Sequence, residues 1–349
     1  MSVTRGAVDA QDARIIGEWI TGRHASFRRA VFCAPGAPVE PAAAAVTVDD
    51  VLLVPSDAAV ETAARVVRFD GAFDEVGDVL HVAGHSVELQ HYAAAAYVEL
   101  VGPTAMRFLD ADGWRAFLAD ADLARASGVF TSPMTDPRLR LADADVFDDP
   151  FASTAPRAVH VHADGRLTAG AQGAVLGLAD DVAGVLAAPH SRWEALAGLV
   201  VSADLTRDLA DRPWLGRFVH AAELAGRLGF EASDLRIDGF GWSALSDAGR
   251  GEDGAVVRSD DPFLVRTPDG VLLVDLRTRR RQRLPEQTVR VVATLQASTD
   301  VTAAADRLAR TERLSAEAAR ALCSEAERLL GVRPGVPAAA DSVAVGAGA

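Results

Sequence analysis

The stretch from Pro262 to Val332 constrains the fold more than any other part of the chain, because its apolar spacing passes from that of strands to that of helices. Phe263-Leu264-Val265-Arg266 is a short apolar run. Asp269-Gly270 follows as a two-residue hairpin turn, since glycine tolerates the positive φ such a turn demands. Val271 to Leu276 is β-branched and apolar, long enough for one buried strand. Thr278 to Arg281 is polar and predicts a second turn, and Gln282-Arg283-Leu284 predicts a short third strand. Pro285 stands where a helix can begin, as its missing N–H is not needed there. Val289, Val292 and Leu295 then follow at helical spacing. Thr299 or Asp300 can cap a second helix holding Val301, Ala304, Ala305 and Leu308. Ser315 can cap a third, in which Ala319, Leu322, Cys323, Ala326, Leu329 and Leu330 form one apolar stripe and Gly331 is the stop.

Three strands followed by three helices is the pattern of a winged helix-turn-helix, a module that holds either a peptide strand or a DNA groove. The order, from Phe263-Leu264-Val265-Arg266 through the Gly270 hairpin to the Ala-rich helix ending at Leu330, resembles the PqqD-like leader-peptide recognition element of ribosomally synthesised and modified peptide (RiPP) pathways. The resemblance covers about a fifth of the chain. It implies that a precursor's leader peptide adds as an extra strand beside the third strand, in the groove between that strand and the last helix. The backbone of Gln282 to Leu284 would pair with the leader, and Leu284, Ala319, Leu322, Cys323 and Ala326 would line or back the groove. Main-chain hydrogen bonds would give affinity and side-chain pockets register.

Arg277, Arg279, Arg280, Arg281 and Arg283 crowd the second turn and third strand. An acidic leader would be drawn to them, with Arg279, Arg281 and Arg283 as its contacts. The bland alternative is a solvated turn that protects a sheet edge. A winged helix that binds DNA would instead insert the last helix in the major groove. Its polar positions, Glu317, Arg320, Ser324, Glu325, Glu327 and Arg328, carry more acid than base, and the chain's formal charge is -14. Both argue against nucleic acid as a partner.

Composition excludes some chemistry. The chain has no lysine, which rules out a P-loop, a Schiff base and a protein-kinase site. Cys33 and Cys323 stand far apart, so no disulfide framework is expected and a reducing cytoplasm is the default. The first residues lack a signal pattern, and no apolar stretch is long enough for a membrane span, so no membrane partner is expected.

Residues 1–245 are expected to form a larger mixed α/β domain, making the whole chain α+β. Helices are predicted over 13–20, 57–67, 114–126 and 214–228. Strands are predicted over 46–54 and 97–101, and hairpins around Gly84 and around Asp164-Gly165. Gly36 to Ala45 reads as a loop. Residues 246–261 are acidic and Gly-rich and read as a flexible linker, 262–332 is the module above, and 333–349 reads as a disordered tail.

Several constellations are candidates for chemistry. His81 and His85 are spaced for a helical metal site, but Gly84 interrupts any helix and position 82 is Val rather than the Glu of a zinc protease. With His91 they read as exposed or packed histidines. His160 and His162 would share one face of a strand, yet lack a third ligand at a familiar spacing and read as surface positions. Gly165 to Gly177 has no phosphate-binding signature, and Gly239-Phe240-Gly241-Trp242-Ser243 lacks the glycine a nucleophile elbow needs. Asp148-Asp149 and Asp180-Asp181 read as solvated. No catalytic residue, metal or cofactor is assigned.

Gln90-His91-Tyr92, Pro156-Arg157-Ala158-Val159-His160, Asp211-Arg212-Pro213-Trp214-Leu215-Gly216 and Gly239-Phe240-Gly241-Trp242 make the whole chain look most similar to the recognition proteins of daptide biosynthesis. That likeness implies a non-enzymatic cytoplasmic protein that binds the leader and presents the precursor to separate tailoring enzymes: an oxidative decarboxylase, an aminotransferase and a methyltransferase. The N-terminal domain would be their docking platform. The competing expectations are a winged-helix DNA-binding regulator, and an enzyme with a histidine-based N-terminal site and the C-terminal module as substrate clamp.

Overall fold

A computed structural model describes residues 2–228, 235–245 and 255–337. The fold is α+β, and the chain divides into two compact units, Met1–Ala119 with Asp136–Asp208, and Asp120–Thr135 with Leu209–Ala349. In chain order the elements up to the second division are α1 (Ser2–Thr21), β1 (Ala30–Cys33), α2 (Glu40–Ala45), β2 (Val51–Pro55), β3 (Arg65–Gly71), β4 (Val79–Val82), β5 (His85–His91), β6 (Thr104–Arg107), α3 (Ala111–Ser127), α4 (Ser132–Thr135), β7 (Leu139–Leu141), β8 (Ser153–Thr154), β9 (Ala158–Val161), β10 (Arg166–Ala169), β11 (Val175–Leu178), α5 (Val182–Ala187), β12 (His190–Ser191) and α6 (Ser202–Asp211).

The first unit is built on a ten-stranded mixed sheet, in the order β11-β10-β9-β1-β2-β3-β4-β5-β6-β7. Strands β9, β1, β2 and β3 run parallel, and so do β5, β6 and β7. Parallel strands covered on both faces read as unbroken apolar runs, and every residue of β1 is buried. Its side chains alternate. Ala30 and Phe32 pack with Ile15, Ile16 and Trp19 of α1, and Val31 and Cys33 with Ala42 and Ala43 of α2 and Val182 and Val185 of α5. The Trp19 and Phe32 rings stack with centroids 4.7 Å apart. Before β2, the buried Asp50 carboxylate accepts two bonds from Arg29, at 3.0 and 3.1 Å, and further bonds from the Thr47 amide and hydroxyl.

Four expectations are corrected here. Residues 57–67 hold no helix; Val67 and Phe69 instead pair with Leu53 and Pro55 in β3, where burial in the sheet overrides the local helical pattern. The strand placed over 97–101 begins after Pro103, and Tyr97 and Val101 are both 88% exposed. The Ala-rich stretch read as a loop contains α2, with Pro at a first-turn position that tolerates it. The strand placed over 46–54 is confined to β2, because the Asp50 bonds to Thr47 bend the chain before it.

The second unit adds α7 (Leu215–Leu228), β13 (Arg236–Asp238), β14 (Gly241–Trp242), β15 (Ala255–Val256), β16 (Phe263–Thr267), β17 (Gly270–Asp275), β18 (Arg280–Leu284), α8 (Glu286–Gln296), α9 (Val301–Glu312), α10 (Ala316–Leu330) and β19 (Val336–Pro337). Its five-stranded sheet has the order β14-β13-β16-β17-β18, with the last three strands forming an antiparallel meander. On one face Leu264, Val271, Leu273 and Leu284 share a core with Val289, Val292 and Leu295 of α8, Leu308 of α9 and Cys323 of α10. On the other face lies α7. Its buried Arg217 guanidinium sits 3.5 Å from the Phe263 ring centroid and donates to the Asp261 and Pro262 carbonyls. Caps stand where the residues allow them: Asp300 accepts the Ala303 N–H at 2.8 Å, and Ser315 the Ala318 N–H at 3.1 Å. Helix α10 ends at Gly331 with φ 68°.

The unit is thus larger than residues 262–332. Residues 246–254 and 338–349 lie outside the described residues. Ala255–Val256 is no free linker, because β15 pairs with β19, and Asp261 is buried and accepts from Gln296 at 2.7 Å and from Arg333 at 3.1 Å. The same contacts order residues 333–337, which were expected to be disordered. Leu329, assigned to the apolar stripe of α10, is 47% exposed.

Candidate functional site

Strand β18 ends the sheet, and among the described residues nothing pairs with its outer edge. Its carbonyls and amides on that side are a ready template for another strand. The turn before it spans residues 276–279, so the strand starts at Arg280, two residues earlier than its sequence suggests. Asp275 shapes this turn. Its carboxylate accepts the Arg277 amide at 2.9 Å, the Thr278 amide at 3.2 Å and the Thr278 hydroxyl at 2.6 Å. Burial opposes ionisation of Asp275, but the bonds from Thr278 and Arg277 outweigh it and hold the carboxyl below its usual range. Arg279 closes the turn in the left-handed region, at φ 58°.

The register divides the expected site residues between two faces. Gln282 lies opposite Leu273, and Leu284 opposite Val271, so both face α8–α10. Arg281 lies opposite Val274 and Arg283 opposite Leu272, which turns them to the α7 face. Leu284, Ala319, Cys323 and Ala326 are core residues, none more than 6% exposed, while Leu322 is half-buried. The four core residues pack with α8–α10 rather than lining an open groove. Burial also raises the Cys323 thiol pKa. Arg279 and Arg281 come together with Leu224, Arg227, Val274, Asp275 and Leu276 around a cavity of about 290 Å³ on the α7 side. The sequence reading missed this cavity. Leu224 and Arg227 occupy adjacent turns of a helix it placed in the other domain; the three-residue spacing was visible, but what that face packs against was not.

Arg277, Arg279, Arg280, Arg281 and Arg283 are all exposed, and among the described residues none forms an ion pair. Arg283 donates to the Asp269 carbonyl. By contrast, Arg290 pairs with Glu312 at 3.0 Å and Arg333 with Asp260 and Asp261. The solvent face of α10 presents Glu317, Arg320, Ser324, Glu325, Glu327 and Arg328, all exposed.

The histidines do not converge. His81 bonds the Ser86 hydroxyl across the β4–β5 hairpin at 2.8 Å, His85 is exposed, and His91 lies 3.3 Å from Asp110. His160 and His162 do share a face, with rings 4.6 Å apart, but His160 is buried against Phe32 rather than on the surface. Burial, then His162 and Arg107, push its pKa well below the usual value and keep it neutral. Among the described residues no group of three His, Cys, Asp or Glu side chains is placed to hold a metal ion. Asp148 pairs with Arg23 at 3.6 Å, Asp181 caps α5, and Phe240 is buried beside Phe130 and Phe218. Among the described residues no helix is long and apolar enough to cross a membrane.

No family model, curated protein or solved structure matches this chain.

Proposed function

We propose that this chain is a recognition protein. It binds the leader of a ribosomally synthesised precursor peptide by strand addition to β18 and presents the precursor to separate tailoring enzymes. The observation that carries this reading is the pairing of an open sheet edge with exposed arginines that form no ion pair among the described residues. An extended peptide satisfies the outward amides and carbonyls of residues 280–284, and an acidic one is steered there by the arginines. The meander followed by three helices has the element order of a PqqD-like winged helix, which supports the same reading. In this account the protein works in the cytoplasm, performs no chemistry of its own, and uses the first unit to dock the tailoring enzymes.

The test is a titration of the full-length protein against the fluorescein-labelled leader of any small precursor peptide encoded beside its gene. Micromolar or tighter binding is expected, corresponding to about -8 kcal/mol or better. A labelled DNA duplex should show no comparable affinity at physiological salt. Tight, steeply salt-dependent DNA binding with no leader binding would overturn the proposal in favour of a regulator.

A further inference from the structure

The α7 side of β18 differs chemically from the side that faces α8–α10. A strand added to β18 alternates its side chains between the two faces. On the face of α8–α10 it meets Gln282 beside an apolar core. On the α7 face it meets a cavity of about 290 Å³, far larger than the roughly 30 Å³ share of one water. The floor of that cavity is apolar, with Leu224 and Val274 buried and Leu276 half-buried. Its rim carries three guanidinium groups, on Arg227, Arg279 and Arg281. Among the described residues that line it, the Asp275 carboxylate is the one acid, and it is already engaged by the turn amides and the Thr278 hydroxyl. Among the described residues Arg227 pairs with Glu223 alone, a half-exposed contact at 3.4 Å. Arg281 and Arg283 stand two residues apart on this face, about 7 Å by strand geometry.

From this we infer that the α7 face of β18 is a carboxylate-binding subsite that reads glutamate at alternate positions of the added peptide. The inference rests on the strand-addition reading and deepens it. One glutamate lays its methylenes over Leu224, Val274 and Leu276 and its carboxylate among Arg227, Arg279 and Arg281. The acidic residue two positions along meets Arg283. A peptide with adjacent acids cannot do this, because its second carboxylate is turned to the face of Gln282. Aspartate suits the cavity less well than glutamate, as its shorter stem leaves the apolar floor uncovered.

The experiment is an affinity selection by the full-length protein from a library of twelve-residue peptides, followed by hydrogen exchange of the protein with the recovered peptides. The expected result is enrichment of Glu-x-Glu or Glu-x-Asp, with slowed exchange of the amides in residues 280–284. Replacing glutamate by glutamine in a recovered peptide should weaken binding about tenfold, as expected for loss of a charge-assisted hydrogen bond. The double variant Arg227→Gln, Arg281→Gln, with native circular dichroism, should lose the preference for glutamate over glutamine. Arg320→Gln, on α10, should keep it. Peptides that protect residues 280–284 but show no alternate-acid pattern, or a pattern that survives the double variant, overturn the subsite and leave strand addition standing. If no recovered peptide slows exchange in residues 280–284, strand addition itself fails and the subsite fails with it.

Discussion

Asp145 is buried in the first unit, and its Oδ1 lies only 1.9 Å from where a Cβ on Gly22 would stand. Gly22 has φ 70°, so at this position both the backbone and the available space require glycine. Burial, and next the nearby Asp143, raise the Asp145 pKa to about 7, while Arg192 and Arg157 only partly oppose this. Asp143 is itself raised to about 6, by burial. A carboxyl whose folded pKa is raised binds more protons folded than unfolded between its two pKa values. The stability these two carboxyls contribute therefore falls as pH rises from about 4 through about 7, and is flat above. Asp50 acts in the opposite sense, but only in more acid solution, because its folded pKa is lowered below 3.8. His24, lowered to about 4, and the buried His160 oppose the two carboxyls in the same pH range, because the unfolded chain takes up protons there that these imidazoles refuse. The Asp145 contribution is therefore read as a difference between two proteins: from about pH 5 to about pH 8 the native chain should lose about 2–3 kcal/mol more stability towards urea than Asp145→Asn. An Asn variant that keeps the full pH dependence would assign it to other groups. None of this was legible in the sequence, because the neighbours of Asp145 come from residues 22, 157 and 192. The caps were legible, since Asp300 and Ser315 act on amides three residues away.

The elements read correctly were those whose pattern is local and strong. The meander and the three helices of the second unit stand close to where their periodicity and turns place them, as do α3, α7 and the hairpins at Gly84 and Gly165. The failures share one cause. In β3 and β6, sheet burial decides the outcome, and it depends on partners distant in sequence. The candidate site was legible as a basic strand, yet its two-sidedness was not, because that depends on α7 covering the other face of the sheet. Helix α9 offers a check at this scale. Asp300→Ala removes the acceptor for the Ala303 amide and should cost about 1 kcal/mol, read as a lowered urea midpoint with an unchanged slope. No change would mean that a backbone or solvent group replaces the cap.

At the scale of the whole molecule, the second unit is discontinuous in sequence, and its sheet needs strands from outside the meander. Residues 255–333 alone would lose β13 from the edge of β16, β19 from β15, and Arg217 from the ring of Phe263. That fragment should fail to fold, giving weak helical circular dichroism and poorly dispersed amide resonances. A well-dispersed, cooperatively melting fragment would instead show that the meander and helices suffice alone. Binding must therefore be measured on the full chain. The most direct test of the account is hydrogen exchange of the full-length protein, with and without a saturating leader peptide from any small precursor encoded beside its gene. Strand addition predicts slowed exchange centred on residues 280–284, with little change along the solvent face of α10. Bound leader that leaves 280–284 exchanging as in the free protein, and protects another surface instead, would contradict it.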